Sequence, residues 1–290
     1  MINSQYKTEY KRYLDLFNEY SEKVFSAVKT ESNLSTAMAY SFFAGGKRVR
    51  PVLMLAFADI LGGDLNKALP FAFSLECIHT HSLIHDDLPA LDGDVLRRGK
   101  PTCHVEFDEA TAILAGDALL NLAYEHSLSS STTLDDIRAL ECLAKFTGYR
   151  GMMQGQQIDV ENEGKGGDEE LLLKIHDLKT CKLLTVPFLI PAILYRKELM
   201  PLCERLGRLI GLIFQFTDDV LDVLGEEEKL GKSVGKDQQS QKLTSISLYG
   251  VDGVKARVNQ LEKEAKNIIK SIDNTGFLQC FISETVGRQI

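Results

Sequence analysis

Apolar residues recur at intervals of three and four along most of this chain, as in the run Leu206, Leu209, Ile210, Ile213 and Phe214. This spacing follows the turn of an α-helix. Sustained alternation of apolar and polar residues, which would predict half-buried strands, is hard to find. The seven prolines stand mostly where a helix would begin, bend or end. The pattern therefore predicts an all-α protein of about ten helices with essentially no sheet.

The chain is expected to form a single domain over residues 1–290. Its length would allow one large domain or two average ones. The glycine-rich stretches at 62–63, 164–167 and 225–235 are short and lie between strongly patterned segments, as turns do. Two segments, Ala110–Leu122 and Leu202–Leu224, are apolar on more than one face, which predicts that they lie in the middle of a helical bundle.

Composition narrows the classes of function. A net charge of −8 and a pI near 5.4 disfavour a nucleic-acid partner, which would need a broad basic surface. The six cysteines have irregular spacing and are expected to be reduced thiols. The chain starts without the apolar run of a signal peptide, and Leu183–Tyr195 is too short for a membrane span and contains Pro187 and Pro191. We expect a soluble cytoplasmic protein without membrane insertion.

Candidate chemistry begins with the aspartates of a late helix, Asp218, Asp219 and Asp222. Asp218 and Asp222 stand four residues apart, so their carboxylates share one helix face, with Gln215 on the same flank. A solvated acidic helix end is the plain alternative, because three glutamates follow at 226–228. Apolar neighbours surround the aspartates, however, and unpaired carboxylates are costly in such surroundings. The pattern favours a metal site.

An earlier motif, Asp86 and Asp87 followed by Asp92, is less regular, since a spacing of six would point two side chains apart on a helix. Pro89 is expected to break the helix, so that Asp92 returns on a loop toward Asp86, and Gly93 permits the turn. A calcium-binding loop does not fit. With Gly93 at the glycine position of such a loop, Leu88 would stand at the first position, where a carboxylate is required.

Both aspartate motifs suit Mg²⁺, which prefers oxygen ligands and is usually shared between carboxylates and substrate phosphates. Three cationic clusters could bind those phosphates: Lys47, Arg48 and Arg50; Arg97, Arg98 and Lys100; Lys229, Lys232 and Lys236. The first cluster follows two glycines and precedes a proline at a helix start. Alternating acidic and basic groups predict a diphosphate substrate.

A zinc site is a possible competing interpretation of Cys77, His81 and His85, which fall near one helix face. A closed tetrahedral site would need a fourth ligand from elsewhere in the chain. We therefore favour a role for His79 and His81 in lining the substrate pocket beside the first aspartates.

Five separated motifs together resemble the trans-prenyl diphosphate synthases: Gly45 to Pro51; Asp86 to Asp92 with Arg97 and Arg98; Gly155 to Asp159; Lys179 and Thr180; and Phe214 to Asp222. Their order and spacing match throughout nearly the whole chain. Within this family the segment from Glu76 to His104 is most similar to the bacterial farnesyl diphosphate synthases. The resemblance implies a helical bundle around a deep central cavity, usually a homodimer, that condenses isopentenyl diphosphate with an allylic diphosphate.

The resemblance also implies roles for individual residues. Asp86, Asp92 and Asp218 would hold Mg²⁺, three ions per active site with Mn²⁺ able to substitute, and Asp87, Asp219 and Asp222 would support them. Isopentenyl diphosphate would be bound by Lys47, Arg50, His79 and Arg98. The allylic diphosphate would be bound by Arg97, Lys179 and Lys232, and Thr180 and Gln215 would lie along the developing allylic cation.

Product length is expected to depend on the cavity wall. His81 stands where farnesyl synthases of this kind usually carry an aromatic residue and synthases of longer products a smaller one, and Ser82 beside it is small. Farnesyl diphosphate, with 15 carbons, is the favoured product, and geranylgeranyl diphosphate, with 20, is the alternative. A non-catalytic helical partner subunit is a further alternative, but the chain keeps all six aspartates.

Overall fold

The structure, a computed structural model, describes residues 3–224 and 242–287. Within these ranges the α-helices are α1 (Asn3–Ala27), α2 (Asn33–Phe42), α3 (Val49–Ile60), α4 (Leu65–Asp86), α5 (Cys103–Glu106), α6 (Glu109–Ser129), α7 (Leu134–Thr147), α8 (Met152–Asn162), α9 (Glu169–His176), α10 (Lys182–Tyr195), α11 (Met200–Leu224), α12 (Ser245–Ile269) and α13 (Phe277–Gly287). A π-helical turn, Asp177–Cys181, joins α9 to α10, and the 3₁₀ turn Lys197–Leu199 precedes α11. The strands among these residues, β1 (Leu96–Arg97) and β2 (Lys100–Pro101), form one antiparallel pair. The predicted all-α bundle is confirmed.

The helices form where their sequences supply both an apolar face and a cap. Helix α1 buries Tyr6, Tyr13, Phe17 and Phe25 along one side. Helix α7 begins with a capping box, in which the side chain of Thr133 accepts a hydrogen bond from the third helical residue, which returns one. Similar aspartate caps start α4, α6 and α9.

One connected apolar core runs through the bundle, with α4 packed between α3 and α6, and α10 against α11. The central position predicted for Leu202–Leu224 agrees with the dense burial along α11. The prediction for Ala110–Leu122 was only half right. Helix α6 buries Ala112 and Ala115 on one face, whereas Ile113 and Leu114 on the other are 44% and 59% exposed.

Helix α10 corrects the expectation for the apolar segment near residue 190. Pro187 and Pro191 lie inside the helix without breaking it. The α9, π and α10 segments also run on as one helical stretch, Glu169–Tyr195, whose 27 residues could cross a membrane by length and composition. In this protein 67% of the apolar 18-residue part of this stretch is buried. Burial, rather than shortness, identifies it as a core element.

Close contact between α10 and α11 depends on Gly207. A Cβ atom at this position would lie 2.5 Å from the Cα of Thr185 and 2.7 Å from its Oγ1. We expect Gly207→Ala to lower the free energy of unfolding by roughly 1–3 kcal/mol, because backbone in a packed core cannot yield freely. Urea denaturation would measure this.

Gly287→Ala is the matched control, because a Cβ there has no atom within 4 Å among the described residues. Its unfolding midpoint should stay within experimental scatter of the parent protein. Equal stability of the Gly207→Ala variant and this control would contradict the assigned packing role.

Candidate active site

A cavity of about 530 Å³ opens between α3, α4, α6, α8 and the π turn. Among its lining residues are seven predicted from the sequence: Arg50, His79, His81, Ser82, Asp86, Lys179 and Thr180. A larger depression of about 710 Å³ lies at the surface between α1 and α2, and no predicted site residue lines it. The predicted site residues therefore lie at the 530 Å³ cavity and not at the larger surface depression.

The first aspartate motif folds as its proline predicts. Helix α4 ends at Asp86, and the backbone N–H of Asp92 donates to the carbonyl oxygen of Asp86 at 2.8 Å. Gly93 takes a φ of +64°, which favours glycine. The loop after Pro89 thus brings Asp92 back to Asp86, and this prediction is confirmed.

The charges around Asp86 are unevenly balanced. Burial raises the pKa of Asp86 to about 6, with the charge of Asp92 acting in the same direction and that of Lys179 opposing it. Asp87 is instead satisfied by Arg97, whose Nε and Nη2 donate to the carboxylate at 2.6 to 2.9 Å. Asp86 therefore faces the cavity as the carboxylate most in need of a cation.

The second motif lies near the carboxyl end of α11. Asp219 accepts a hydrogen bond from Gln215 Nε2 at 2.9 Å and two from the backbone N–H and Oγ of Ser245, at 2.8 and 2.6 Å. These bonds tie α11 to the start of α12. The buried Asp222 Oδ2 has no hydrogen-bond partner among the described residues. Asp219 therefore positions the motif, whereas Asp222 retains an unused acceptor.

The π turn presents Lys179 and Thr180 to the cavity. Isolated π turns often occur at functional sites, because the extra residue re-aims neighbouring side chains. Lys179 Nζ donates to Asp159 Oδ2 at 2.5 Å, and Thr180 Oγ1 donates to Gln215 Oε1 at 2.8 Å. Gly155 allows this arrangement, since a Cβ there would collide with the backbone of Lys179.

The glycine and basic motif forms the loop before α3 and the first residues of that helix. Arg50 Nη1 lies 3.2 Å from His79 Nε2, and Arg50 Nε is buried without a hydrogen-bond partner in the described part of the chain. Burial lowers the pKa of Arg50 to about 10, and burial beside Arg50 holds the pKa of His79 well below its usual range. At neutral pH this pair is a cation with a neutral imidazole, suited to an anion.

Arg98, from the turn between β1 and β2, contacts the loop that carries Lys47. Arg98 Nη1 donates to the carbonyl of Gly45, and a Cβ on Gly46 would occupy the space of its guanidinium. The exposed Lys47 is fixed through its backbone, because its carbonyl accepts from Tyr10 Oη at 2.6 Å. The contact between Arg98 and Gly45 brings the first two cationic clusters together.

A buried ion pair beneath this loop was missed as a feature of the site. Arg48 Nη1 donates to Glu76 Oε1 at 2.7 Å, and the two side chains are only 5% and 3% exposed. Arg48 has a φ of +50°, an unusual conformation for a residue other than glycine. The pair fixes the junction between the loop that carries Lys47 and the first turn of α3, which carries Arg50. In the sequence, nothing distinguishes Arg48 from the neighbouring cations Lys47 and Arg50.

Lys242 was also missed, although its Nζ donates to Asp92 Oδ1 at 2.9 Å across 150 residues of chain. A single lysine in a polar segment carries no distinctive signal. The predicted phosphate ligand Lys232 lies outside the described residues, as do Lys229 and Lys236. Beyond that segment of the chain, Lys242 contacts Asp92 and Ser245 contacts Asp219.

The donor set fits Mg²⁺. Its members are carboxylate oxygens, the buried Oδ2 of Asp222 lacks a described partner, and burial raises the pKa of Asp86 although the charges of Lys179 and Arg97 oppose that shift. Asp86 and Asp222 also lie at the carboxyl ends of α4 and α11, where the helix dipole favours cations. We infer that these residues could hold the ion that the sequence motifs predict.

Comparison with known proteins agrees with the site. Residues 31–275 match the family model described as polyprenyl synthetase. The chain belongs to the polyprenyl synthetase family. This polyprenyl synthetase is 41% identical to the farnesyl diphosphate synthase of Micrococcus luteus over 261 residues, which are 88% of this chain and 90% of the relative.

Other relatives of this polyprenyl synthetase make the product length ambiguous. It is 44% identical over 244 residues to the geranylgeranyl diphosphate synthase of Cyanophora paradoxa, covering 82% and 81% of the two chains. A geranyltransferase of Helicobacter pylori, solved with magnesium and isoprenyl diphosphate, superposes with a TM-score of 0.80 at 30% identity, covering 95% and 96%. The resemblance to trans-prenyl diphosphate synthases is confirmed, and the chain is a prenyltransferase of isoprenoid biosynthesis.

The Arg48 and Glu76 pair generates a stability prediction for the polyprenyl synthetase. Glu76→Gln should lower the free energy of unfolding by roughly 3–5 kcal/mol, because it leaves the Arg48 charge buried and unpaired. Chemical denaturation followed by circular dichroism would measure the loss.

The double variant Arg48→Met with Glu76→Leu provides the control, because it removes both charges together. It should be more stable than Glu76→Gln alone. A Glu76→Gln variant as stable as the parent protein would show that the pair does not hold the loop.

Proposed function

We propose that this polyprenyl synthetase condenses isopentenyl diphosphate head-to-tail with dimethylallyl or geranyl diphosphate to give farnesyl diphosphate. The observation that carries the proposal is the cavity, whose lining includes the cations Arg50 and Lys179, the carboxylate of Asp86 and the side chain of His81. Two diphosphates need two cationic subsites. The first turn of α3, with Arg50, and the π turn, with Lys179, supply them on different elements.

We assign Mg²⁺ to Asp86, Asp92 and Asp218, with Asp87, Asp219 and Asp222 in support, and expect three ions per site, which Mn²⁺ could replace. When bound, Mg²⁺ offsets the negative charge that develops on the departing diphosphate. The solved Helicobacter pylori relative holds magnesium, which supports the metal but not the number of ions.

Isopentenyl diphosphate is assigned to Lys47, Arg50, His79 and Arg98. The unpartnered Nε of Arg50 is a donor without an acceptor among the described residues, and the neutral His79 can donate a hydrogen bond without adding charge. Arg is suited to phosphate because it donates paired hydrogen bonds. The buried ion pair of Arg48 and Glu76 fixes the chain between Lys47 and Arg50.

The allylic diphosphate is assigned to Lys179 and Arg97, with Lys232 as a further ligand outside the described residues. Each described cation now donates to a carboxylate, Lys179 to Asp159 and Arg97 to Asp87. Lys242 joins them as a candidate through its contact with Asp92.

Thr180 and Gln215 are assigned to the path of the allylic cation. The Thr180 hydroxyl donates to the Gln215 amide oxygen, which orients oxygen dipoles beside the cavity. The isopentenyl double bond attacks the cation, and the departing diphosphate can accept the proton whose loss restores an alkene. No protein nucleophile is needed.

Assembly of the protein follows from its exposed apolar surface. We infer a homodimer formed through the exposed apolar face of α6, where Ile113 and Leu114 lie. Sedimentation equilibrium should then give twice the chain mass.

A cytoplasmic enzyme accords with its soluble diphosphate substrates. Geranylgeranyl diphosphate is the alternative product, since relatives of both product lengths match this chain.

Removing a metal-binding carboxylate should abolish most of the activity. Asp86→Ala or Asp218→Ala is expected to lower turnover at least about a thousandfold, equivalent to roughly 4 kcal/mol of barrier. Steady-state kinetics with isopentenyl diphosphate, geranyl diphosphate and Mg²⁺ would measure the effect, and circular dichroism would verify the fold.

Asp15→Ala serves as the control, because Asp15 is exposed on α1 and pairs with Lys11. Its turnover should match that of the parent enzyme. Full activity in either Asp86→Ala or Asp218→Ala would remove the metal role, and no product with any allylic primer would overturn the proposed reaction.

The cavity wall predicts how product length should change. His81→Ala is expected to lengthen the product, because a smaller side chain lets the growing chain extend further. Chromatographic sizing of products after incubation with each allylic primer would show a shift from 15 toward 20 carbons. An unchanged product distribution would place the limiting side chain elsewhere.

A further inference from the structure

His81, His85 and Asp117 converge on the cavity wall from two helices. His81 and His85 are one turn apart on α4, with ring centroids 4.5 Å apart, and Asp117 comes from α6. One ligand atom from each residue lies within 4.8 Å of the other two. All three line the cavity in which the product would grow. Cys77, grouped with these histidines in the sequence analysis, is fully buried and outside this set.

Backbone contacts hold both imidazoles in defined orientations. His81 Nδ1 donates to the carbonyl of Gly116 at 3.1 Å, and His85 Nε2 donates to that of Ile113 at 3.2 Å. Carbonyl acceptors require the facing nitrogens to carry the protons, which leaves the lone pairs on Nε2 of His81 and Nδ1 of His85. His85 Nε2 is the nitrogen that lies 3.9 Å from Asp117 Oδ1, so the His85 ring must turn over to share an ion with that carboxylate. Metal-binding histidines commonly donate their second nitrogen in this way.

Two further features make this cluster more than a chance grouping. Gly116 lets the His85 ring lie against α6, because a Cβ there would collide with that ring. Burial lowers the pKa of His81 to about 4, so the ring is neutral and able to bind a cation at neutral pH. Asp117 is 63% exposed and supplies a negative charge that can rotate toward the rings.

We propose that His81, His85 and Asp117 bind a transition-metal cation of the Zn²⁺ type, at a site distinct from the magnesium sites of the aspartate motifs. Two imidazoles and one carboxylate form a donor set that suits Zn²⁺ or Co²⁺, whereas Mg²⁺ prefers oxygen ligands alone. Three protein ligands leave a fourth position open for water.

An ion at this site would change the cavity beside His81, the side chain assigned to limit product length. The bound cation fixes His81 and Asp117 together and places charge and water where an apolar chain end would arrive. We expect such an ion to shorten the product. This consequence rests on the proposed function, whereas binding of the ion does not.

The binding test uses Co²⁺, whose visible absorption reports ligands and geometry, added to the purified protein in excess Mg²⁺. We expect one Co²⁺ site that Mg²⁺ does not displace. Asp117→Asn and His81→Phe should each weaken it about tenfold or more. His104→Ala, which removes a histidine of α5, should bind as the parent protein does. Because the Asp117 side chain is exposed, we expect Asp117→Asn to leave the fold intact.

Equal Co²⁺ affinity in Asp117→Asn and the parent protein, or complete displacement by Mg²⁺, would overturn the site. Product sizing with and without Zn²⁺ then tests the consequence. Shorter products in the parent enzyme, but not in Asp117→Asn, are expected, and identical shifts in both would overturn control of length through this site. If no prenyl product forms at all, the proposed function fails while the Co²⁺ result still decides the metal site.

Discussion

Negative charge held out of water is the constraint on which this structure depends. Carboxylates from α4 and α11 are gathered beside an apolar cavity, where burial disfavours their ionised form unless cations stand nearby. Asp86 shows the imbalance directly, with a pKa raised to about 6. The fold places cations from separate elements near these carboxylates. The negative charge that remains uncompensated is suited to metal ions and to the diphosphates that accompany them.

The helices serve this arrangement by bringing distant segments together at fixed positions. The carboxyl ends of α4 and α11 carry the aspartates, the π turn carries Lys179, and the first turn of α3 carries Arg50. Small residues permit the necessary approaches. Gly155 lets α8 meet the π turn, and Gly211 leaves room for Cys181, with which a Cβ would collide.

Much of this could be predicted from sequence because it depends on local rules. Helical periodicity predicted the fold class, and Pro89 with Gly93 predicted the return of Asp92 to Asp86. Pairings between distant residues could not be predicted. Nothing local to Arg48 distinguishes it from Lys47, yet only Arg48 is buried against Glu76. Likewise, Asp117 joins His81 and His85 only because α6 packs along α4, and Pro187 and Pro191 are tolerated because the surrounding core holds α10 in place.

The ion pairs of the described site have a consequence for the order of events. Lys242 is bonded to Asp92, Arg97 to Asp87 and Lys179 to Asp159, so ligand anions and cations must compete with partners already in place. With the roles proposed above, a metal ion that binds Asp92 would release Lys242, and a diphosphate that binds Lys242 would release Asp92. Each would then lower the free-energy cost of binding the other, and by thermodynamic reciprocity their affinities would rise together. The ion pairs of the unliganded protein would in that case couple the binding of metal to the binding of diphosphate.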